Sequence, residues 1–228
     1  MTDTAYVPPV STPAPSLRVK DPGSALTHFI GIVAALSSAP FLLMHFRACG
    51  ADALAMTGAI VFLLSMVLLY TASTVYHTII TDRLIFKKID HMMVCVLIAG
   101  TYTPICLTVL RDGCGYYLLA GVWGFALAGA LFKLFWVTCP KWVSSVLYIG
   151  MGWLCVFALP QIITGLSPAG FGFLLAGGIL YTVGGIIYAL KLPIFNSLHP
   201  CFGSHEIFHV FVLAGNLLQF ITVYQYLL

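Results

Sequence analysis

Long apolar runs dominate the chain and recur seven times between short polar segments. A helix needs about 20 apolar residues to cross the hydrocarbon core of a bilayer, at about 1.5 Å per residue. The runs are continuous, whereas the strands of a membrane β-barrel would alternate apolar and polar residues. The pattern therefore predicts seven transmembrane helices, near residues 25–46, 54–79, 89–110, 116–137, 142–160, 168–190 and 205–227.

Composition strengthens this interpretation. Hydrophobic residues make up 61% of the 228 residues and charged residues only 7%, whereas about 25% are charged in an ordinary soluble domain. The chain is thus predicted to be an all-α integral membrane protein that crosses the bilayer as a seven-helix bundle. The formal net charge of +3 is small, and without a basic stripe it gives no reason to expect a nucleic-acid partner.

Basic residues predict the orientation of the bundle, since Lys and Arg in short loops stay on the cytoplasmic side. Only Arg47 and Arg111 fall on one side of the predicted topology. We therefore expect a cytoplasmic amino terminus and an external carboxyl terminus. Eight of the ten basic residues lie on the cytoplasmic side: Arg18, Lys20, Arg83, Lys87, Lys88, Lys133, Lys141 and Lys191.

The first 20 residues differ from the rest because they are rich in Pro, Ser and Thr and contain no long apolar stretch. This composition is typical of a flexible tail and not of a cleaved signal peptide. We therefore divide the chain into a flexible cytoplasmic tail at 1–20 and a membrane domain at 21–228. Cys49 and Cys114 both fall in predicted external loops, where a disulfide between them is one open possibility.

Polar residues at the ends of three spans are the candidates for function, because ionisable groups in or near a bilayer are costly to keep. Span two closes with Ser73 and His77, which lie four residues apart on one helical face. Span three starts from the same side with Asp90 in its first turn. Span seven also starts there, with His205 and His209 on one face. Connectivity therefore predicts that these side chains lie at one depth on the cytoplasmic side.

Three neutral imidazoles with an open fourth position are typical of catalytic zinc. Bound zinc lowers the pKa of its water to about 7 and so supplies a hydroxide nucleophile. We predict that His77, His205 and His209 bind Zn²⁺. Asp90 would hold or deprotonate the water, or partner a histidine, and Ser73 would hydrogen-bond the water or a developing oxyanion.

Each of the two supporting residues has a simpler interpretation that remains open. Asp90 could have no role beyond stabilising the positive end of a helix dipole. Ser73 could have no role beyond hydrogen-bonding the backbone of its own helix.

The same residues resemble the three signatures of the hemolysin III family. They are Ser73-x-x-x-His77, Asp90 followed by IAGTYTP at 98–104, and His205-x-x-x-His209. The resemblance runs from about residue 21 to the end of the chain and includes DPGSALTHFIG at 21–31 and YALKLP ending at Pro193.

The family belongs with the progestin and adipoQ receptors and, more distantly, the alkaline ceramidases. The resemblance implies a seven-helix protein with zinc on the three histidines and with Asp90 and Ser73 beside it. Receptor relatives of this kind look like ceramide-cleaving amide hydrolases, whereas the bacterial branch is named for a haemolysis phenotype.

One departure from the family concerns the first span, where members often carry Glu seven residues before the histidine. This chain has Asp21 before His28. The shorter acid keeps the charge but loses reach, so we do not expect Asp21 in the site. His28 has no partner at helical spacing. Contact with the site from span one is one interpretation, and core packing or a backbone hydrogen bond is the favoured one.

We therefore expect a zinc-dependent hydrolase in a bacterial cytoplasmic membrane that cleaves an amide or ester bond of a lipid at the cytoplasmic side, with membrane lipids as its partners. An alternative is a receptor or pore-forming protein in which zinc is structural. A minor alternative is an intramembrane metalloprotease, because His205-Glu206-x-x-His209 fits HExxH with Glu206 as general base. That pattern would leave His77 without a role.

Overall fold

The computed structural model describes residues 19–190 and 202–228. Residues 1–18 of the predicted tail lie outside the described residues, and so does Lys191. The described residues form eight α-helices, a 3₁₀-helix and no strand. The helices are α1 Pro22–Ala48, α2 Ala53–Thr78, α3 Leu84–Leu107, α4 Gly115–Phe135, α5 Lys141–Gly152, α6 Leu159–Gly165, α7 Pro168–Leu190 and α8 Ser204–Tyr226, and the 3₁₀-helix is Trp153–Ala158.

Seven membrane spans are confirmed by length and apolar character, with α5, the 3₁₀-helix and α6 together forming the fifth at Lys141–Gly165. The protein is therefore a multi-pass integral membrane protein. The third span begins five residues earlier than the sequence pattern indicated, at Leu84. Lys87 and Lys88 were assigned to a loop, but long basic side chains at a helix end can extend to the interface and so permit a helix there. Which end of the bundle faces the cytoplasm stays a prediction.

The fifth span is broken, which its continuous apolar sequence did not reveal. Pro160 follows the break and lacks the N–H that an uninterrupted α-helix would use. Backbone groups freed inside a membrane must find partners within the protein. Tyr102 of α3 supplies them: its hydroxyl donates to the Gly152 carbonyl at 2.5 Å and accepts from the Cys155 N–H at 3.0 Å.

Helix packing brings the ends of α1, α2, α3 and α8 together. Each of α1 to α4 packs against the next helix in sequence, α7 packs on α8, and α8 closes back on α1. Close approach of α2 and α3 depends on Gly100, where a Cβ atom would lie only 2.1 Å from Ser65 Oγ. At one end of this group, the Asp21 N–H donates to the carbonyl of His77 at 2.9 Å and ties the start of α1 to the end of α2.

The possible disulfide between Cys49 and Cys114 is absent, since both thiols are free.

Candidate metal centre

Three histidines from two helices meet at one end of the bundle. His77 lies in the last turn of α2, and His205 and His209 occupy the first two turns of α8. One ring nitrogen from each lies within 4.8 Å of the others. His77 and His209 are buried, each with 2% of its surface exposed. The convergence that connectivity indicated is thus present in the structure, whereas metal binding by these rings stays a prediction.

The spacing of the ring nitrogens fits a shared ion. His77 Nε2 lies 3.1 Å from His205 Nε2. Zinc bound tetrahedrally to nitrogen at 2.0–2.1 Å separates two ligand atoms by about 3.3 Å. Occupation of the site would therefore require only a small adjustment of these two rings.

Two of the three rings are held by oxygen atoms at Nδ1. The carboxylate of Asp21 accepts a hydrogen bond from His77 Nδ1 at 2.9 Å. Thr27 Oγ1 lies 3.1 Å from His209 Nδ1, and because its own proton goes to the Ser24 carbonyl at 2.9 Å, it accepts from the ring. Both contacts place the proton on Nδ1 and leave the Nε2 lone pair available, which is how metal-binding histidines are usually oriented.

The contact of Asp21 corrects the expectation that this shorter acid falls outside the site. Side-chain length alone predicted the opposite. In the structure, the backbone hydrogen bond between Asp21 and His77 brings the carboxylate within reach of the ring. Thr27 was also missed, although it lies in the segment at 21–31 that carried part of the resemblance.

His28 lies against the cluster, contrary to the favoured interpretation. Its ring stacks on His209 with a centroid distance of 3.7 Å and an angle of 5° between planes. It is 3% exposed, and neither ring nitrogen has a hydrogen-bond partner among the described residues. His205 Nδ1 and Ser73 Oγ are also buried and have no hydrogen-bond partner among the described residues. Buried polar atoms are rarely left without a hydrogen-bond partner. These atoms therefore favour a bound ligand that supplies the partners which the protein side chains do not.

Asp90 is buried near the cluster, with 6% of its surface exposed, and lines the same cavity as His28, His205 and His209. Its Oδ2 lies 3.3 Å from Nδ1 of His91, a residue that the sequence analysis did not assign to the site. This approach lacks hydrogen-bond geometry.

Ser73 lies one turn before His77 and is fully buried. Its hydroxyl has no hydrogen-bond partner among the described residues, so the alternative of bonding its own helix is not realised. Unlike Asp90, Ser73 is not among the residues that line the cavity. His77 is likewise absent from the cavity wall.

Glu206 points to other partners. Its carboxylate accepts from Ser24 Oγ at 2.5 Å and from the Gly203 N–H at 2.8 Å. The second contact satisfies a free N–H at the start of α8, as capping glutamates do. Both carboxylate oxygens are engaged at the junction of α1 and α8, so nothing in this geometry favours the HExxH alternative.

A cavity of about 320 Å³ starts at His28, His205 and His209 and runs along the inside of the bundle. Its wall follows α3 from Asp90 to Ile105, a length of about 22 Å at 1.5 Å per residue. This covers most of a hydrocarbon core about 30 Å thick. The wall is mainly apolar and includes Leu69, Val94, Leu97, Ile98, Phe171 and Val212.

Part of the cavity wall also faces the outside of the bundle. Trp153 and Val156 of the broken fifth span and Leu175 of α7 line the cavity and are 40%, 50% and 39% exposed. Trp153 Nε1 donates to Thr182 Oγ1 at 3.0 Å between these two elements. Exposed residues of the broken fifth span and of α7 thus form part of the cavity wall.

Replacing Asp21 by alanine is expected to weaken zinc binding by about 10–100-fold, the usual effect of losing a hydrogen-bond partner of a ligating histidine. Competition with a chromogenic chelator on the purified protein measures the affinity. Asp82→Ala, which removes an exposed acid from the loop between α2 and α3, is the matched control and should leave the affinity unchanged. Equal affinity in the two variants would contradict a role of Asp21 in orienting His77.

Comparison with known proteins gives concordant matches. A family model described as "Haemolysin-III related" matches residues 17–220. The chain is 40% identical over 208 residues to "Hemolysin-3" of Bacillus cereus, covering 90% of both chains. It is also 40% identical over 205 residues to "Hemolysin-3 homolog" of Bacillus subtilis (strain 168), covering 89% of this chain and 92% of the relative.

Proposed function

The chain belongs to the haemolysin-III family of membrane proteins, and from this premise we propose that it is a zinc-dependent hydrolase that cleaves an amide or ester bond of a membrane lipid. The reaction would take place at the end of the bundle for which the basic residues predict the cytoplasmic side. The observation that carries the proposal is a group of three convergent histidines, of which His205 and His209 line a long apolar cavity.

His77, His205 and His209 would hold the zinc, which when bound polarises a carbonyl and makes water a nucleophile at neutral pH. Asp21 and Thr27 keep His77 and His209 in the tautomer that binding requires. Three nitrogen ligands leave a fourth position for water or substrate, and this arrangement is typical of catalytic zinc sites. A structural site would use a fourth protein ligand, and among the described residues the group within 4.8 Å contains three histidines only.

Asp90 is the proposed general base and acid. Its carboxylate lines the cavity beside the histidines, where a buried carboxylate can accept the proton of an attacking water. The resulting hydroxide would add to the carbonyl carbon. When the carbon–nitrogen or carbon–oxygen bond breaks, Asp90 would return the proton to the leaving amine or alkoxide.

The cavity would bind the apolar part of the substrate. A long, mainly apolar slot with polar groups at one end suits a lipid whose reactive group lies next to a hydrocarbon chain. The exposed edge formed by Trp153, Val156 and Leu175 would admit such a molecule directly from the bilayer. A structural zinc that only joins helix ends would not need a deep apolar slot beside it.

Lipid analysis by mass spectrometry tests the proposal. Purified protein in lipid nanodiscs that contain amide-linked and ester-linked lipids should release free fatty acid after zinc loading. Chelator-treated protein and the His77→Ala variant should release none. Unchanged amide and ester lipids with fully zinc-loaded protein would refute the hydrolase and favour the receptor or pore.

A further inference from the structure

A second cluster of reactive side chains lies where α4 turns into α5. Lys133 Nζ lies 3.0 Å from Cys139 Sγ and 2.5 Å from Ser144 Oγ, while the sulfur and the hydroxyl are 3.5 Å apart. All three residues are buried, with exposed fractions of 0%, 8% and 2% in the order given. None of them lines the cavity or belongs to the histidine cluster.

The environment of Lys133 is unusual for a lysine. Lysine is almost never fully buried unless it is paired with an acid, and a lysine near the end of a membrane helix ordinarily extends to the interface. Among the described residues no carboxylate lies within ion-pair distance of Lys133. Its neighbours are instead the thiol, the hydroxyl and two aromatic rings. The centroids of the Phe132 and Tyr148 rings each lie 5.6 Å from Lys133 Nζ.

The loop at 136–140 holds the thiol in place. The Cys139 N–H donates to the Trp136 carbonyl at 3.4 Å, and the carbonyl of Pro140, just before α5, accepts from the N–H of Val143 at 3.0 Å. With helices on both sides, this short loop keeps Cys139 Sγ beside Lys133 Nζ. The loop lies on the side predicted to be cytoplasmic, where thiols are normally kept reduced.

We propose that Lys133 and Cys139 form an oxidation-sensitive pair that a hydroperoxide converts into a covalent sulfur–nitrogen bridge. The sulfur of Cys139 attacks the peroxide, the oxygen–oxygen bond breaks, and a sulfenic acid and water form when the oxidant is hydrogen peroxide. Lys133 loses one proton to solvent, its free amine attacks the sulfur, and the sulfur–oxygen bond breaks. The hydroxyl leaves as water with a second proton from the nitrogen, and the third hydrogen stays on the bridging nitrogen.

The bridge is reversible by ordinary thiols. The sulfur is oxidised by two electrons while the peroxide is reduced, and two molecules of a thiol reductant return those electrons and restore the free thiol and amine. Nothing in this chemistry involves the histidines, so the proposal stands independently of the proposed function.

Peptide mass spectrometry on the purified full-length protein tests the proposal. The protein is treated with hydrogen peroxide, its remaining thiols are alkylated, and it is digested with trypsin. In the bridged protein, cleavage after Lys133 is lost, and Cys139 appears unalkylated in the peptide 112–141, which is lighter by two hydrogens than its reduced form. We expect most of Cys139 to be found in this bridged peptide after peroxide treatment. After the oxidised protein is reduced with dithiothreitol, we expect none.

Matched variants separate amine chemistry from charge. Lys133→Arg keeps the positive charge but lacks the amine, and Cys139→Ser keeps a polar group but lacks the sulfur; neither should give the peptide. Cys49, which is exposed, serves as an internal control and should be oxidised without a bridge. The proposal is overturned if Cys139 can still be alkylated after peroxide treatment. It is also overturned if Cys139 is converted to sulfinic or sulfonic acid while trypsin still cleaves after Lys133. A bridge that persists in Lys133→Arg would overturn it as well.

Discussion

Alanine in place of His209 is expected to leave the purified protein almost free of zinc. Structural zinc bound by a full ligand set has an apparent binding free energy of about 10–16 kcal/mol. Removing one of three ligands removes about a third of it, so the affinity should fall on the order of a thousandfold. His77→Ala and His205→Ala should behave alike, because the three ring nitrogens form one group within 4.8 Å.

Metal analysis of purified variants measures this effect. His45→Ala is the matched control because His45 lies at the opposite end of α1, where it stacks on Tyr224. It should keep the zinc content of the unsubstituted protein. Circular dichroism should show unchanged helix content in all four variants. Stoichiometric zinc in His209→Ala with a folded bundle would contradict the proposed ligand set.

Asn in place of Asp90 is expected to separate metal binding from catalysis. Asn has nearly the size of Asp but cannot take up a proton, so zinc content should remain while hydrolysis falls by about 10²–10⁴-fold, the usual contribution of general acid–base catalysis. The assay is release of fatty acid from nanodisc lipids. Asp82→Asn, in an exposed loop, is the matched control and should retain full activity.

Two results would contradict the role proposed for Asp90. Full hydrolysis in Asp90→Asn would show that another group moves the proton. Loss of zinc in this variant would instead make Asp90 a fourth ligand, and a closed four-ligand site is typical of structural zinc. The second outcome would favour the receptor or pore alternative.

The sequence was sufficient for features that depend on the period and length of apolar runs. Seven spans follow from runs near 20 residues, and the convergence of His77 with His205 and His209 follows from the direction of each span. These features need no knowledge of side-chain contacts. The break in the fifth span was missed because Pro160 lies in an otherwise uniform apolar run, and because its compensating partner, Tyr102, comes from another helix.

Contacts between distant segments could not be predicted from the sequence. Asp21 reaches His77 only because a backbone hydrogen bond joins the two segments. His28 stacks on His209 through the packing of α1 against α8. Ser73 shares the helical face of His77, as expected, yet it is fully buried away from the cavity wall. Helical spacing gives the face of a residue but not what covers that face.

X-ray absorption at the zinc edge of the purified, unsubstituted protein tests the central claim most directly. A three-histidine site predicts about one zinc per chain, with nitrogen and oxygen neighbours at 2.0–2.1 Å and the outer-sphere signal of three imidazoles. A chain without stoichiometric metal would contradict it, as would zinc with sulfur neighbours at about 2.3 Å.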